Sequence, residues 1–281
     1  MIGLLTDSNA QLPPELAERY GVEVVPLTVT VDGEDFAEGV DLDADTFYAR
    51  FEGGRRPEVS TSQPSPGRFA EAFAALAGRG AREILAVHVG SVVSGTVNSA
   101  RLAAQSSPVP VHIVDTATVS FGVACCVWEA GEALARGVTV EEAAAIAGAV
   151  GKTVGTVFTV GALDLARAGG RLAPGGEAGT TGPGVPVLTM AGGEMQVIGG
   201  ASDVDGAAGV MADHVLTVGA GPRVRIGLGI ADASAAPLWR ALEDRLTGAP
   251  GVREIVRYRI GPSVGAHTGP GTAGVFFYPS G

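Results

Sequence analysis

The sequence predicts an α/β protein with two α/β domains, the first built on a mostly parallel wound sheet and the second on a mixed sheet with helices. Three observations carry that prediction. Short apolar, β-branched runs of strand length alternate with longer segments whose apolar residues recur at helical spacing. Polar turns follow the runs that end near Leu5, Val89 and Val114, where a wound sheet opens its ligand crevice. Near Thr153 the alternation changes, and a hairpin followed by helix–strand units takes over. The expected division is residues 1–155, carrying the polar turns, and residues 156–281.

In chain order, Ile2 to Leu5 reads as a buried strand ending at Thr6-Asp7-Ser8-Asn9, Pro13 to Tyr20 as a helix and Val22 to Val31 as one strand. Asp32-Gly33 signals a hairpin, and Asp43 or Asp45 caps a helix ending near Phe51. Ser65-Pro66 fits an N-cap with proline at N1, opening a helix to Leu76 that buries Phe69 and Phe73. Arg82 to Val89 is the central strand. The turn Gly90-Ser91-Val92-Val93-Ser94-Gly95-Thr96 and a small-residue helix follow it. Val111 to Val114 is a strand, and Phe121 to Arg136 and Glu141 to Val150 are helices. Beyond the switch come a strand at 154–160, a short helix at 162–168 and a Gly- and Pro-rich loop from Ala173 to Pro186. Val187 to Met190 and Met195 to Ile198 flank Gly192-Gly193 as a hairpin. Helices at 204–218 and 237–246 then alternate with strands at 224–230 and 255–260, and a loop from Gly261 to Gly271 leads into a last strand at 273–278.

The 281 residues are 46% hydrophobic and 17% charged, which describes a packed globular chain with an aliphatic core, since aromatics make up only 5%. A net charge of −11 argues against nucleic acid or an anionic membrane as partner. Lys152 is the sole lysine, so lysine-based covalent chemistry is largely removed. Cys125 and Cys126 are adjacent in an apolar helical pattern and read as reduced core residues of a cytoplasmic protein. Gly and Pro interrupt the uncharged stretch from Ile260, so no membrane helix is expected there.

Gly151-Lys152-Thr153 ends like a P-loop, but Ile146 stands at the first glycine position and the preceding segment is helical. Gly269-Pro270-Gly271-Thr272-Ala273-Gly274 matches a dinucleotide fingerprint in letters, yet a strand follows it instead of a helix. The four histidines show no metal spacing. His88, His112 and His214 sit in regular patterns, whereas His267 lies in a Gly/Pro loop beside Thr268. Ser94 with His267 is the alternative of a serine acyl hydrolase, although Ser94 and Ser120 both lack the G-x-S-x-G elbow.

The turn at Ser91 to Thr96 offers backbone donors, a helix dipole and three hydroxyls with no Lys or Arg, so it suits a carboxylate or phosphate oxygen; equally, Ser94 or Thr96 can simply cap the helix. Thr6-Asp7-Ser8, Thr61-Ser62-Gln63-Pro64-Ser65-Pro66, Ser94-Gly95-Thr96 with Ser99-Ala100, and Asp115-Thr116 before Gly122 come in that order. Leu163, Gly169-Gly170-Arg171 and Gly265-Ala266-His267-Thr268-Gly269-Pro270-Gly271 complete the set. Together they resemble the DegV family of fatty-acid-binding proteins.

That resemblance implies a carrier, not an enzyme, that holds a long-chain fatty acid such as palmitate in a buried apolar tunnel, without cofactor or metal. It implies that Thr61 and Ser94 bind the carboxylate, with His267 and Thr268 close by and Ser8, Ser62, Gly95, Thr96 and Arg171 in support. It also implies a second domain that closes the lipid site, a separate fatty acid kinase that makes the acyl phosphate, and a place in phospholipid metabolism without stable membrane insertion. Two departures stand out. The loop from Ala173 to Gly184 replaces a family helix, and no Lys or Arg occurs between Arg171 and Arg223.

Overall fold

Alternation at Leu4-Leu5 sends successive side chains to opposite faces of one strand, and the computed structural model builds its first sheet on that strand. The structure describes residues 1–168, 170, 184–219 and 223–280, which fall into two units. One comprises Met1–Asp41 with Thr61–Thr153, the other Leu42–Ser60 with Val154–Gly281.

In the first unit β1 (Ile2–Asp7), α1 (Pro14–Tyr20), β2 (Val22–Val25), β3 (Thr28–Val31) and β4 (Glu34–Ala37) come first. The expected single strand at 22–31 is two, because Pro26 has no amide to continue a ladder. Asp32 and Gly33 take φ of 51° and 83° and close the β3–β4 hairpin, with Val31 opposite Glu34. After the departure of the chain come β5 (Val59–Ser62), which joins the β4-β3 hairpin at β3, and α3 (Pro66–Gly78). Then follow β6 (Glu83–His88), α4 (Thr96–Ala104), β7 (Val111–Asp115), α5 (Phe121–Ala135) and α6 (Val140–Thr153). The main sheet has the order β2-β1-β6-β7, every neighbouring pair parallel. Leu5, Ile84 and Ala86 pack under Phe69 and Phe73 of α3 and under α4. Leu4, Leu85 and Val87 point the other way, under Val123 and Val127 of α5 and Ala143 and Ala147 of α6. Cys125 and Cys126 are buried and reduced, and burial pushes the Cys126 thiol up to about 12.

The second unit begins in the departure itself, where α2 (Ala44–Ala49) is capped by Asp43 Oδ1 accepting from the Thr46 amide at 2.7 Å. It continues with β8 (Gly155–Thr159), α7 (Leu163–Ala168), β9 (Val185–Ala191) and β10 (Glu194–Ala201), the last two joined at Gly192-Gly193 with φ of 59° and 86°. Then come α8 (Val204–Val218), β11 (Val224–Ile230), α9 (Ala236–Leu246), β12 (Val252–Arg259), α10 (Pro262–Thr268) and β13 (Ala273–Pro279). The sheet order is β10-β9-β8-β13-β11-β12; only β11–β12 is parallel, so the sheet is mixed. Met211 and Val215 of α8 and Leu238 and Leu242 of α9 cover it with Phe277 and Ile226. Asp45 holds Arg259 at 2.7 Å, and Arg56 pairs with Asp164, so both ends of residues 42–60 are tied to this unit. Of the expected loop from Ala173, residues 173–183 lie outside the described residues, while Val185 and Pro186 already belong to β9. No helix among the described residues is long and apolar enough to cross a membrane.

Candidate functional site

The carboxyl ends of β1, β6 and β7 gather the first unit's polar turns. Gly90 opens the β6–α4 turn with its amide donating to Thr118 O at 2.8 Å, and a Cβ there would sit 2.9 Å from the Ala117 backbone. Asp115 Oδ1 accepts from the Ser91 and Ala117 amides, both at 3.1 Å. Burial pushes this carboxyl up, but the Ser91 bonds, the Ala117 amide and the charge of Arg101 outweigh it and hold it below the ordinary 3.8. The stability Asp115 contributes is therefore present above pH 3.8 and is lost as pH falls through the lowered value. The unfolding difference between wild type and Asp115→Asn should be constant near neutral pH and shrink below that value; a difference that grows on acidification would contradict it.

Within the turn, Ser94 Oγ and Thr96 Oγ1 lie 2.8 Å apart, and Ser94 Oγ accepts from the Thr96 amide at 3.3 Å. The N-cap of α4 is Gly95, from which no side chain reaches the first turn. That helix end keeps amide donors and the positive end of its dipole. Gln63 leans on Gly95: a Cβ there would meet the Gln63 amide at 3.0–3.1 Å, so the segment carrying Thr61 and Ser62 runs beside the turn. Thr61 and Ser94 are half-buried, Ser62 and Gly95 exposed, and Thr96 buried. Ser65 caps α3 through the Arg68 amide.

Ser8 is committed elsewhere, its hydroxyl donating to Glu38 and accepting from the Leu27 amide at 2.9 Å. Beneath the turn, Asp7 and His88 form a fully buried pair, Oδ2 to Nδ1 at 2.9 Å, and the Val89 amide reaches the same oxygen at 3.0 Å. His88 is thus structural, as its strand position suggests. Sequence reasoning missed the backbone of Ser120, which takes φ 53°, ψ −141° at the start of α5 while its amide donates to Asn9 Oδ1 at 2.9 Å. Its signal was Gly122 two residues on, too slight to distinguish a turn from an ordinary helix start.

In the second unit, His267 and Thr268 do not lie in a loop: they end helix α10. Pro262 at its first turn and Gly269 at φ 76° after its end are boundary signals that the Gly/Pro composition concealed. Thr268 is buried, its hydroxyl donating to Val264 O at 3.2 Å, and His267 is half-buried. Gly265 lets α10 rest on the aromatic group of α2, since a Cβ there would lie 2.5 Å from the Tyr48 oxygen and 2.8 Å from the Phe47 ring. Arg171 lies outside the described residues. Arg225 is buried in β11 beside Glu254 at 3.3 Å, so it adds no surface cation to the acidic span.

Comparisons with known proteins agree with this architecture. A solved structure described as fatty acid binding of a DegV family protein, from Thermus thermophilus, superposes with a TM-score of 0.86 at 34% identity and covers 99% of each chain. A DegV lipid-binding protein from Thermotoga maritima gives 0.86 at 25% identity, over 99% of this chain and 98% of the other. A DegV domain-containing protein from Streptomyces coelicolor is 33% identical over 278 residues, 98% of this chain and 97% of the relative. Residues 1–280 match the family described as "Uncharacterised protein, DegV family". With a family match over nearly its whole length, the chain belongs to the DegV family.

Proposed function

We propose that this protein binds a long-chain fatty acid in an apolar tunnel, with the carboxylate held by hydroxyl and amide donors, and presents it to a separate fatty acid kinase. The observation that carries the reading is the β6–α4 turn, where hydroxyls and a helix end whose N-cap is a glycine stand beside the Thr61 segment. The fatty-acid-binding relative from Thermus thermophilus, at 34% identity over 99% of the chain, supports it. Burying a tail of about sixteen carbons at ~0.8 kcal/mol per CH₂ yields roughly 10 kcal/mol of gross driving force, part of which association consumes. The head group then needs orientation more than a counter-charge, and donors to a carboxylate contribute about 1.5–3 kcal/mol each. Thr61 and Ser94 fill that role in the first unit. His267 and Thr268 are the ligand-binding residues of the second, with Ser62, Gly95, Thr96 and Arg171 in support.

Native mass spectrometry of protein purified without added lipid, before and after organic extraction, should show one acyl chain per protein. Thr61→Ala and Ser94→Ala should each weaken fatty-acid affinity by about 1–3 kcal/mol, roughly 5- to 150-fold, with the fold retained. Protein free of lipid, and indifferent to a fluorescent fatty acid, would sink the reading.

Delivery to a kinase is the second half. Glu177, Glu194, Asp203, Asp205 and Asp213 occupy the stretch from Arg171 to Arg223, which has no cation, so charge steering of a partner there selects for a basic docking face. Lipid-loaded protein mixed with ATP and a fatty acid kinase from another species should give weak acyl phosphate formation; a rate equal to that of the kinase's own partner would refute this.

The hydrolase alternative finds no support. Ser94 is bonded to Thr96, the two histidines of its unit are engaged by Asp7 and Glu83, and its backbone is not among the positive-φ positions that an elbow requires.

A further inference from the structure

The amino end of the first unit's sheet, opposite the polar turns, brings together three donors that the lipid site does not use. Glu83 is the first residue of β6 and His112 the second of β7. The parallel register sets Leu85 opposite His112, so Glu83, two residues earlier, shares the face of Leu85 and His112. That face is the one covered by α6, whose first turn supplies Glu141. His112 Nε2 lies 3.2 Å from Glu83 Oε2, and one donor atom from each of the three residues lies within 4.8 Å of the others.

The helix start does not itself require Glu141. A reciprocal pair formed by Thr139 and Glu142 closes it: the Thr139 amide donates to Glu142 Oε2 at 2.9 Å and the Glu142 amide to Thr139 Oγ1 at 3.2 Å. The neighbouring carboxylate of Glu141 is left to face an imidazole and a second carboxylate across the sheet end.

We propose that Glu83, His112 and Glu141 form a binding site for a divalent first-row metal ion of the zinc class. One imidazole nitrogen and two carboxylate oxygens are a mixed N/O set that suits Zn²⁺ and Co²⁺ and disfavours Mg²⁺, which prefers oxygen alone. Donors about 2.0–2.2 Å from a tetrahedral zinc ion stand roughly 3.4 Å apart, so the Glu83–His112 spacing already fits and the set closes with a side-chain shift of about an ångström. Three protein ligands leave a fourth position for water at the half-exposed surface. Two carboxylates neutralise a dication there, on a chain whose net charge is −11. The ion would fasten the start of α6 to the sheet.

The test uses the whole chain as purified, treated with EDTA. Titration calorimetry with Zn²⁺ should show one equivalent bound with a Kd of about 10 μM or tighter, and Co²⁺ should give visible d–d bands. His112→Ala and Glu141→Gln should each weaken Zn²⁺ binding at least tenfold. Glu141 is exposed, so its variant keeps the test valid even where His112→Ala perturbs folding. Zn²⁺ should also raise the thermal midpoint of wild type but not of Glu141→Gln, with Mg²⁺ inert at equal concentration. No Zn²⁺ binding below about 100 μM, or binding that both variants retain in full, would overturn the proposal.

Discussion

Gly161→Ala should cost the second unit about 3 kcal/mol or more, because among the glycines of the described residues this one leaves the least room for a methyl group. A Cβ on Gly161 would stand 1.6 Å from the carbonyl oxygen of Pro270 and 2.7 Å from its carbon. Both are backbone atoms, so no rotamer change relieves the clash. The junction is also clamped, with the Ala162 amide donating to Thr268 O at 3.2 Å and the Thr272 hydroxyl donating to the same oxygen at 3.0 Å. Pushing it apart displaces the end of α10 that carries His267 and Thr268, so under the proposed function fatty-acid affinity should fall together with stability. Gly209→Ala is the control within the same unit. It lies inside α8 with nothing near its added methyl, and should stabilise by about 0.5–1 kcal/mol. Urea unfolding of both variants decides the matter; a Gly161→Ala midpoint equal to wild type would show that the 161–270 approach is looser than described.

Asp7→Ala should be nearly as damaging, at about 3–5 kcal/mol, by a different mechanism. The carboxylate is wholly buried and accepts from His88 Nδ1 at 2.9 Å, the Val89 amide at 3.0 Å and the Asn9 amide at 3.2 Å. Truncation strands the His88 and Val89 donors away from water, and a buried donor left unmet costs far more than the net value of its bond. Because Asp7 joins the end of β1 to the end of β6, the Ser91–Thr96 turn should loosen as well. Asp7→Asn preserves shape but turns part of the acceptor into a donor, so it should fall between wild type and alanine. Hydrogen exchange would report the site of the damage, with faster exchange at the Val89 amide expected in both variants.

Turn chemistry was the most legible layer of the sequence, because it is local. Asp32-Gly33, Gly192-Gly193 and Ser65-Pro66 each announce a conformation that the chain adopts. Helix α8 and strand β11 begin and end where periodicity places them. The four-stranded parallel sheet followed from the alternation of elements. What local pattern could not carry is equally specific. Helix α10 has seven residues, too few to show a period among its glycines. The Asp7–His88 pair spans 81 positions and exists only once β1 and β6 lie parallel. The adjacency of Gln63 to Gly95 likewise depends on how α3 and α4 dock. Ser94 stood out as a hydroxyl in a strand-to-helix turn without Lys or Arg, but that pattern fits a helix cap equally well; Thr61, and the pairing of the two at one site, entered only through likeness to a family.

The detour of residues 42–60 has a consequence for biosynthesis. Tyr48 and Phe47 leave the ribosome more than two hundred residues before Gly265, the position that rests on them. At ~5–20 residues per second, these aromatics wait roughly ten to forty seconds for their partner helix. Meanwhile the segments of the first unit, Met1–Asp41 and Thr61–Thr153, can already be complete, with residues 42–60 held as an open loop. Nascent chains therefore pass through a stage that displays unpaired aromatic surface, which is where a chaperone would be expected to bind. It also follows that a fragment starting at Val154 lacks the seat of α10 and should dock that helix only when a peptide spanning residues 42–60 is supplied in trans.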